Sequence, residues 1–137
     1  MDTKRLLTGT LVGGAVLYAA GQLIFVLMFG SFYAANGGSA TGVDRNPVLV
    51  WPVVLGSLSY AALVTLAIVS RTGSPNIGAG LTRGAVVGFL LWFTADFTLY
   101  GITNTANLTR TVVDPLLEFV RGGIAGGIIA VVLGKIR

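Results

Sequence analysis

Four apolar stretches, residues 6–29, 48–69, 81–102 and 115–134, fill most of this 137-residue chain, separated by short polar breaks at 31–46, 71–80 and 103–114. A hydrocarbon core about 30 Å thick needs roughly 20 apolar helical residues to cross it, and each stretch comes close to that length. Inside a bilayer every backbone polar group must be satisfied within the protein, so only helices and closed barrels span it. Barrel strands are short and alternate in polarity. The runs here are continuous, which argues for helices. The expected fold is all-α: an integral membrane four-helix bundle in one domain, 1–137, with helices over about 6–30, 47–70, 79–103 and 112–135.

Only 10% of residues are charged and 54% are hydrophobic, against about 25% charged in soluble domains. The net charge of +4 does not point to nucleic acid, because the basic residues sit at the ends of the apolar runs, where they act as a membrane orientation signal. Lys4, Arg5, Arg71, Arg83, Lys135 and Arg137 lie on one side, and Arg45 and Arg110 on the other. The positive-inside rule then predicts both termini inside (N-in/C-in), with the breaks at 31–46 and 103–114 facing outward. Lys4 and Arg5 ahead of an apolar run also suit a secretory signal, whose apolar region is only about 7–15 residues long. Residues 6–29 exceed that, and Ser31-Phe32-Tyr33 makes a poor cleavage site, so the segment reads as a helix. The expected location is a bacterial inner membrane, multi-pass, with the lipid bilayer as partner. In that setting the Asn107-Leu108-Thr109 glycosylation pattern carries no functional weight.

Asn46-Pro47 and Asp114-Pro115 each pair a capping residue with a proline suited to the first helical position, which predicts the starts of the second and fourth helices. The breaker-rich run Arg71-Thr72-Gly73-Ser74-Pro75-Asn76 is expected to end the second helix. Pro52 sits where it can kink that helix near its outer end. Of the 20 glycines, several recur every fourth residue: Gly9 and Gly13; Gly80, Gly84 and Gly88; and Gly122, Gly126, Ala130 and Gly134 beside a second row, Gly123 and Gly127. Small-residue rows let helix backbones approach closely in lipid. They pack the bundle, or also make a face for a homo-oligomer. Gly9, Gly13, Tyr18 and Ala20 match Gly84, Gly88, Phe93 and Ala95 in spacing, a weak sign of a parallel internal repeat.

Ionisable residues in the apolar runs are the candidates for function, because charge at bilayer depth is costly and faces the bundle interior. Asp96, Tyr100, Asn104 and Asn107 step by four, four and three along one helical face, and Asp114, Glu118 and Arg121 by four and three along another. Counting inward from the outer turn of this hairpin puts Asp96 and Arg121 at one depth and predicts an ion pair. Gln22 and the cluster Ser57, Ser59 and Tyr60 fall near the same layer. Two readings follow. In one, Asp96 and Arg121 form a buried structural pair, with Asp114 and Glu118 in headgroup water. In the other, the four helices enclose a ligand-binding pocket, open to the outer side, whose acidic surplus suits a proton, a cation or an amine, so that the ligand is a small molecule, a cation or a lipid.

The chain has no Cys or His, which excludes thiol and Ser–His–Asp chemistry, disulfides and the usual zinc or haem ligation. No cofactor and no metal are expected, and the remaining catalytic option is a carboxylate pair such as Asp96 with Glu118. The Gly- and Ser-containing loop 32–45 reads as a flexible linker, or as a lid over the pocket, with Phe32, Tyr33 and Trp51 as interfacial anchors.

The Lys-Arg start, Phe32-Tyr33-Ala34-Ala35-Asn36, the Ser39-Ala40-Thr41-Gly42-Val43 loop, Gly84 and Gly88 followed by Asp96 and Tyr100, Thr103-Asn104, Val113-Asp114 and Ala125-Gly126-Gly127 resemble small bacterial four-helix inner-membrane proteins of no known activity. The resemblance implies a topology and a location, and no functional residue. The function expected is binding or transport through Gln22, Asp96, Tyr100, Asn104, Asn107, Asp114, Glu118 and Arg121. A structural or accessory subunit of a larger complex is the alternative, followed by a lipid-modifying enzyme.

Overall fold

The computed structural model describes residues 2–70 and 75–136. They form α1 (Thr3–Gly21), which runs on as a π-helical stretch (Gln22–Met28), then a short α2 (Gly30–Ala35), α3 (Val50–Val69), α4 (Ile77–Ile102) and α5 (Leu108–Gly134). Four helices are long and apolar enough to cross a membrane: Thr3–Met28, α3, α4 and α5. Residues 71–74, which carry most of the breaker-rich run, and Arg137 of the basic count lie outside the described residues.

The distribution of side chains suits lipid as solvent. Large apolar residues point outward, with Leu27 76% and Ile102 75% exposed, while the fully buried core includes Leu17, Ala61, Val64, Ala125, Ile129 and Leu133. In water such a surface would be an aggregation liability. In a bilayer it is the solvated face, which makes this a multi-pass membrane protein by architecture.

Three helices start on a side-chain cap. Asp2 accepts from the Lys4 and Arg5 amides at 3.0 and 3.4 Å, Asn76 from Ala79 at 2.9 Å, and Asn107 from Arg110 at 2.9 Å. The last of these corrects the sequence expectation. The fourth helix starts at Asn107, not at Asp114-Pro115, so Pro115 lies inside α5. Likewise Asn46-Pro47 belongs to the connection, and α3 begins at Val50 with Leu49 in the capping position and Pro52 in its first turn.

α5 is the most buried of the four long helices and α4 the least. α4 runs antiparallel to α5 along most of its length and meets α3 only lightly, while α1 lies against α3 and α5. The α4–α5 approach is at backbone distance: a Cβ on Gly84 would strike the Gly122 carbonyl, one on Gly80 the Gly126 carbonyl, and one on Gly88 the Glu118 carbonyl. Gly123 and Gly127 face Ala85 and Leu81 of the same neighbour. On α1, a Cβ at Gly13 would come within 2.5 Å of Ile129 and 3.0 Å of Ala61. This register has a consequence for the site. It sets Asp96 level with Arg110, and leaves Arg121 about eleven residues deeper, roughly 16 Å at the α-helical rise.

At the end opposite the chain termini, the segment after α2 is stitched to the α4–α5 turn. The Gly38 amide donates to the Thr105 carbonyl at 3.2 Å, the Ala40 amide to Asn104 at 3.0 Å and the Asn107 amide to Asn36 at 3.3 Å. The Asn107 side-chain amide adds a bond to Asn36 Oδ1 at 3.0 Å. Gly37 and Ala106 form an isolated antiparallel bridge. This region is called the loop end below.

Candidate ligand-binding site

Arg121 is 8% exposed and Glu118 1%, and they lie one turn apart on α5. Arg121 Nη1 donates to Glu118 Oε1 at 2.7 Å. Its Nε and Nη2 both donate to the Leu17 carbonyl on α1, at 2.9 and 2.8 Å. The expected Asp96–Arg121 pair is therefore absent. A partner one turn away on the same helix needs no help from the hairpin register, and the register holds Asp96 far above.

α1 makes room for the guanidinium at Gly21, where a Cβ would lie 2.9 Å from Arg121 Nη2. Leu17, Gly21 and Ile24 step by four and three along the face turned toward α5. Gln22, one residue on, is turned away and exposed, so it does not join the site. The π-helical stretch from Gln22, closed by the Phe29 amide to Ile24 carbonyl bond at 2.8 Å, carries Phe25 to the guanidinium, 5.5 Å from ring centre to Arg121 Cζ. A π-stretch re-aims side chains that α-helical counting would place elsewhere. The Tyr60 ring lies 5.8 Å from the same atom, and its hydroxyl donates to the Glu118 carbonyl at 3.3 Å.

Nearer the loop end, the Tyr33 hydroxyl donates to Asp114 Oδ1. Arg110 Cζ sits 4.9 Å over the Tyr33 ring, whose edge meets Phe25 at 5.5 Å. Burial first, and then the hydrogen bond to and charge of Asp114, push the Tyr33 phenol far above its ordinary value. Tyr33 thus stays a neutral donor. The short α2 serves to hang this ring over Asp114.

Three voids adjoin one another around Trp92. One of about 350 Å³ is lined by Phe25, Tyr33, Trp92, Arg110, Asp114, Glu118 and Arg121. A second of about 180 Å³, toward the loop end, has Trp92, Asp96, Tyr100, Arg110, Thr111 and Asp114 in its wall. A third of about 430 Å³ lies in the loosely packed cleft between α3 and α4, with Val53, Ser57, Ser59, Tyr60, Leu63, Leu91, Trp92 and Arg121 around it. Volumes of roughly 300–1,000 Å³ suit small ligands. Among the residues that line them, three side-chain atoms are buried without a hydrogen-bond partner: Glu118 Oε2, Asp96 Oδ2 and Trp92 Nε1. Among the described residues, no three carboxylates are placed to share one metal ion.

Of the residues singled out from sequence, Asp96, Tyr100 and Asp114 meet around the second void, and Asp114, Glu118 and Arg121 around the first. Asn104 and Asn107 do not enter. Asn104 offers its carbonyl to Ala40, and Asn107 caps α5 and ties down Asn36. The residues that sequence reasoning left out of the site are Trp92, Tyr33, Phe25 and Arg110. Trp92 lies four residues before Asp96, on the same helical face, and that spacing was the available signal. No protein-family model, curated protein or solved structure matches this chain.

Proposed function

We propose that this is a small binding or transport-type membrane protein whose ligand occupies the voids around Trp92 and enters from the loop end. One observation carries the reading. Glu118 is 1% exposed and directs one carboxylate oxygen to Arg121 while the other, Oε2, meets no protein donor. Leaving a charged acceptor unmet in a low-dielectric interior is costly, so the site is built for a donor the chain does not supply. On the terminal side the path ends at the close-packed Leu17, Ala125 and Ile129. A site closed on that side and reached from the loop end is what one stage of a transport cycle requires.

The same reading includes an orientation. Lys4, Arg5, Arg83 and Lys135 cluster at the terminal end and Arg45 and Arg110 at the loop end, a distribution that supports a loop end outside and termini in the cytoplasm of a bacterial cell. The glycine rows of α5 pack against α4 within one copy of the chain.

The test is a structure of the protein purified in lipid, inspected for density between Trp92, Asp114 and Glu118. An ordered ligand or a chain of waters bonded to Glu118 Oε2 supports the reading. A collapsed, dry site in which a protein group has closed on Oε2 sinks it.

A further inference from the structure

Resting on that reading, we infer that the ligand is a small organic ammonium compound: its nitrogen sits against Glu118 Oε2 in the void beside Asp114, and its apolar substituent lies in the cleft between α3 and α4. The charge count comes first. Three carboxylates, Asp96, Asp114 and Glu118, share these voids with two guanidiniums, Arg110 and Arg121. Arg121 is already bonded to Glu118 and Leu17, while Arg110 lies over the Tyr33 ring. A formal surplus of one negative charge remains, in surroundings where a solvated counter-ion does not follow easily.

Hydrogen-bond capacity gives the same sign. The fully buried groups left unmet are two carboxylate oxygens and one N–H, Glu118 Oε2, Asp96 Oδ2 and Trp92 Nε1. An anion brings only acceptors and would leave both oxygens bare. A neutral alcohol brings one donor and no charge. A primary ammonium brings three donors and the missing positive charge. Its organic nature follows from the walls. The Trp92 ring borders all three voids, and an aromatic face suits an ammonium as a neighbour. Val53, Leu63 and Leu91 line the adjoining cleft, which a bare metal ion or inorganic cation would leave unused.

Trp92 supplies the readout, because the chain has two tryptophans and the other, Trp51, is 65% exposed and away from the voids. In a Trp51→Phe background in lipid nanodiscs, fluorescence titrations compare 2-phenylethylamine, 2-phenylethanol, 3-phenylpropionate and phenyltrimethylammonium. The expected result is saturable binding of the primary amine, at least about tenfold weaker binding of the alcohol and of the acid, and an intermediate response to the donor-free quaternary ion. Glu118→Gln weakens the amine at least about tenfold, the size of one lost charged hydrogen bond. Since that variant strands Arg121, the double variant Glu118→Gln/Arg121→Met is measured beside it and must also fail to hold the amine. Equal or tighter binding of the alcohol or acid, or undiminished amine binding in both Glu118 variants, overturns the ammonium assignment and leaves the binding reading standing. Absence of binding by every probe also overturns it, while the binding reading stands or falls on the density between Trp92 and Glu118.

Discussion

Arg121 Nη1 lies 2.7 Å from Glu118 Oε1, one helical turn away, and both groups are held inside the bundle. Because the other donors of Arg121 reach across to the Leu17 carbonyl, this pair fastens α5 to α1 at the floor of the proposed site. A buried pair of this kind is most costly when only half of it is removed.

Glu118→Gln alone is therefore expected to destabilise the protein by about 3–5 kcal/mol, by leaving a buried guanidinium without its counter-charge. Glu118→Gln/Arg121→Met removes both charges and is expected to recover most of that loss. Reversible unfolding in mixed micelles, compared across wild type, single and double variants, reads the difference. A double variant as unstable as the single one would mean that the pair matters for packing rather than charge.

The α4–α5 seam makes a sharper contrast. Gly84→Ala pushes a methyl group into the Gly122 carbonyl, and helix backbones cannot yield as a flexible side chain can, so a loss of about 1–3 kcal/mol is expected. Gly56→Ala on α3 meets nothing within 4 Å and removes a flexible residue from a helix, so it is expected to be neutral or slightly stabilising. The same unfolding assay checks both, and equal effects would remove the seam from the account of stability.

The helices were legible because a bilayer imposes length and continuity on a span, and both can be read residue by residue. The site was only half legible. The three-residue spacing of Glu118 and Arg121 put them on one face of a helix, yet the ion pair expected from sequence joined Arg121 to Asp96 instead. Relations between helices depended on a register, and counting from Asp114-Pro115 misplaces it because Asn107 is the true cap. A proline can sit within a membrane helix, since neighbouring groups re-satisfy the freed backbone. On α1 the polarity of Gln22 was a poor guide. The informative residue was Gly21, which sits on the Leu17–Ile24 face and is small because Arg121 needs the room. The unmet Trp92 N–H is a property of packing, and no local pattern encodes it.

Tyr33 gives a prediction in pH. Burial and then Asp114 raise its phenol above the ordinary value near 10. The contribution it makes to stability is fully present below about pH 10 and is lost as the pH climbs through the raised value, because the unfolded chain gives up that proton first. Between about pH 9 and 11, the rise in tyrosinate absorbance is expected to be the same in wild type and Tyr33→Phe, since Tyr33 does not titrate there. A smaller rise in the variant, by one tyrosine equivalent, would show that Tyr33 ionises normally and does not serve as a fixed donor to Asp114.

The cover at the loop end depends on Gly38, where a Cβ would run into the Asn104 carbonyl and crowd the Ala106 amide. Gly38→Ala is expected to break the bonds that Gly38 and Ala40 make to Thr105 and Asn104 without touching a transmembrane helix. Hydrogen exchange at the amides of Gly38 and Ala40 should then accelerate at least about tenfold, while that in α5 stays as slow as in wild type, because local opening costs far less than global unfolding. If the segment is a working cover for the voids, the same variant also speeds both entry and exit of any ligand that perturbs Trp92, with little change in affinity. Accelerated exchange with unchanged rates would leave residues 36–40 as a structural strap that the ligand does not pass.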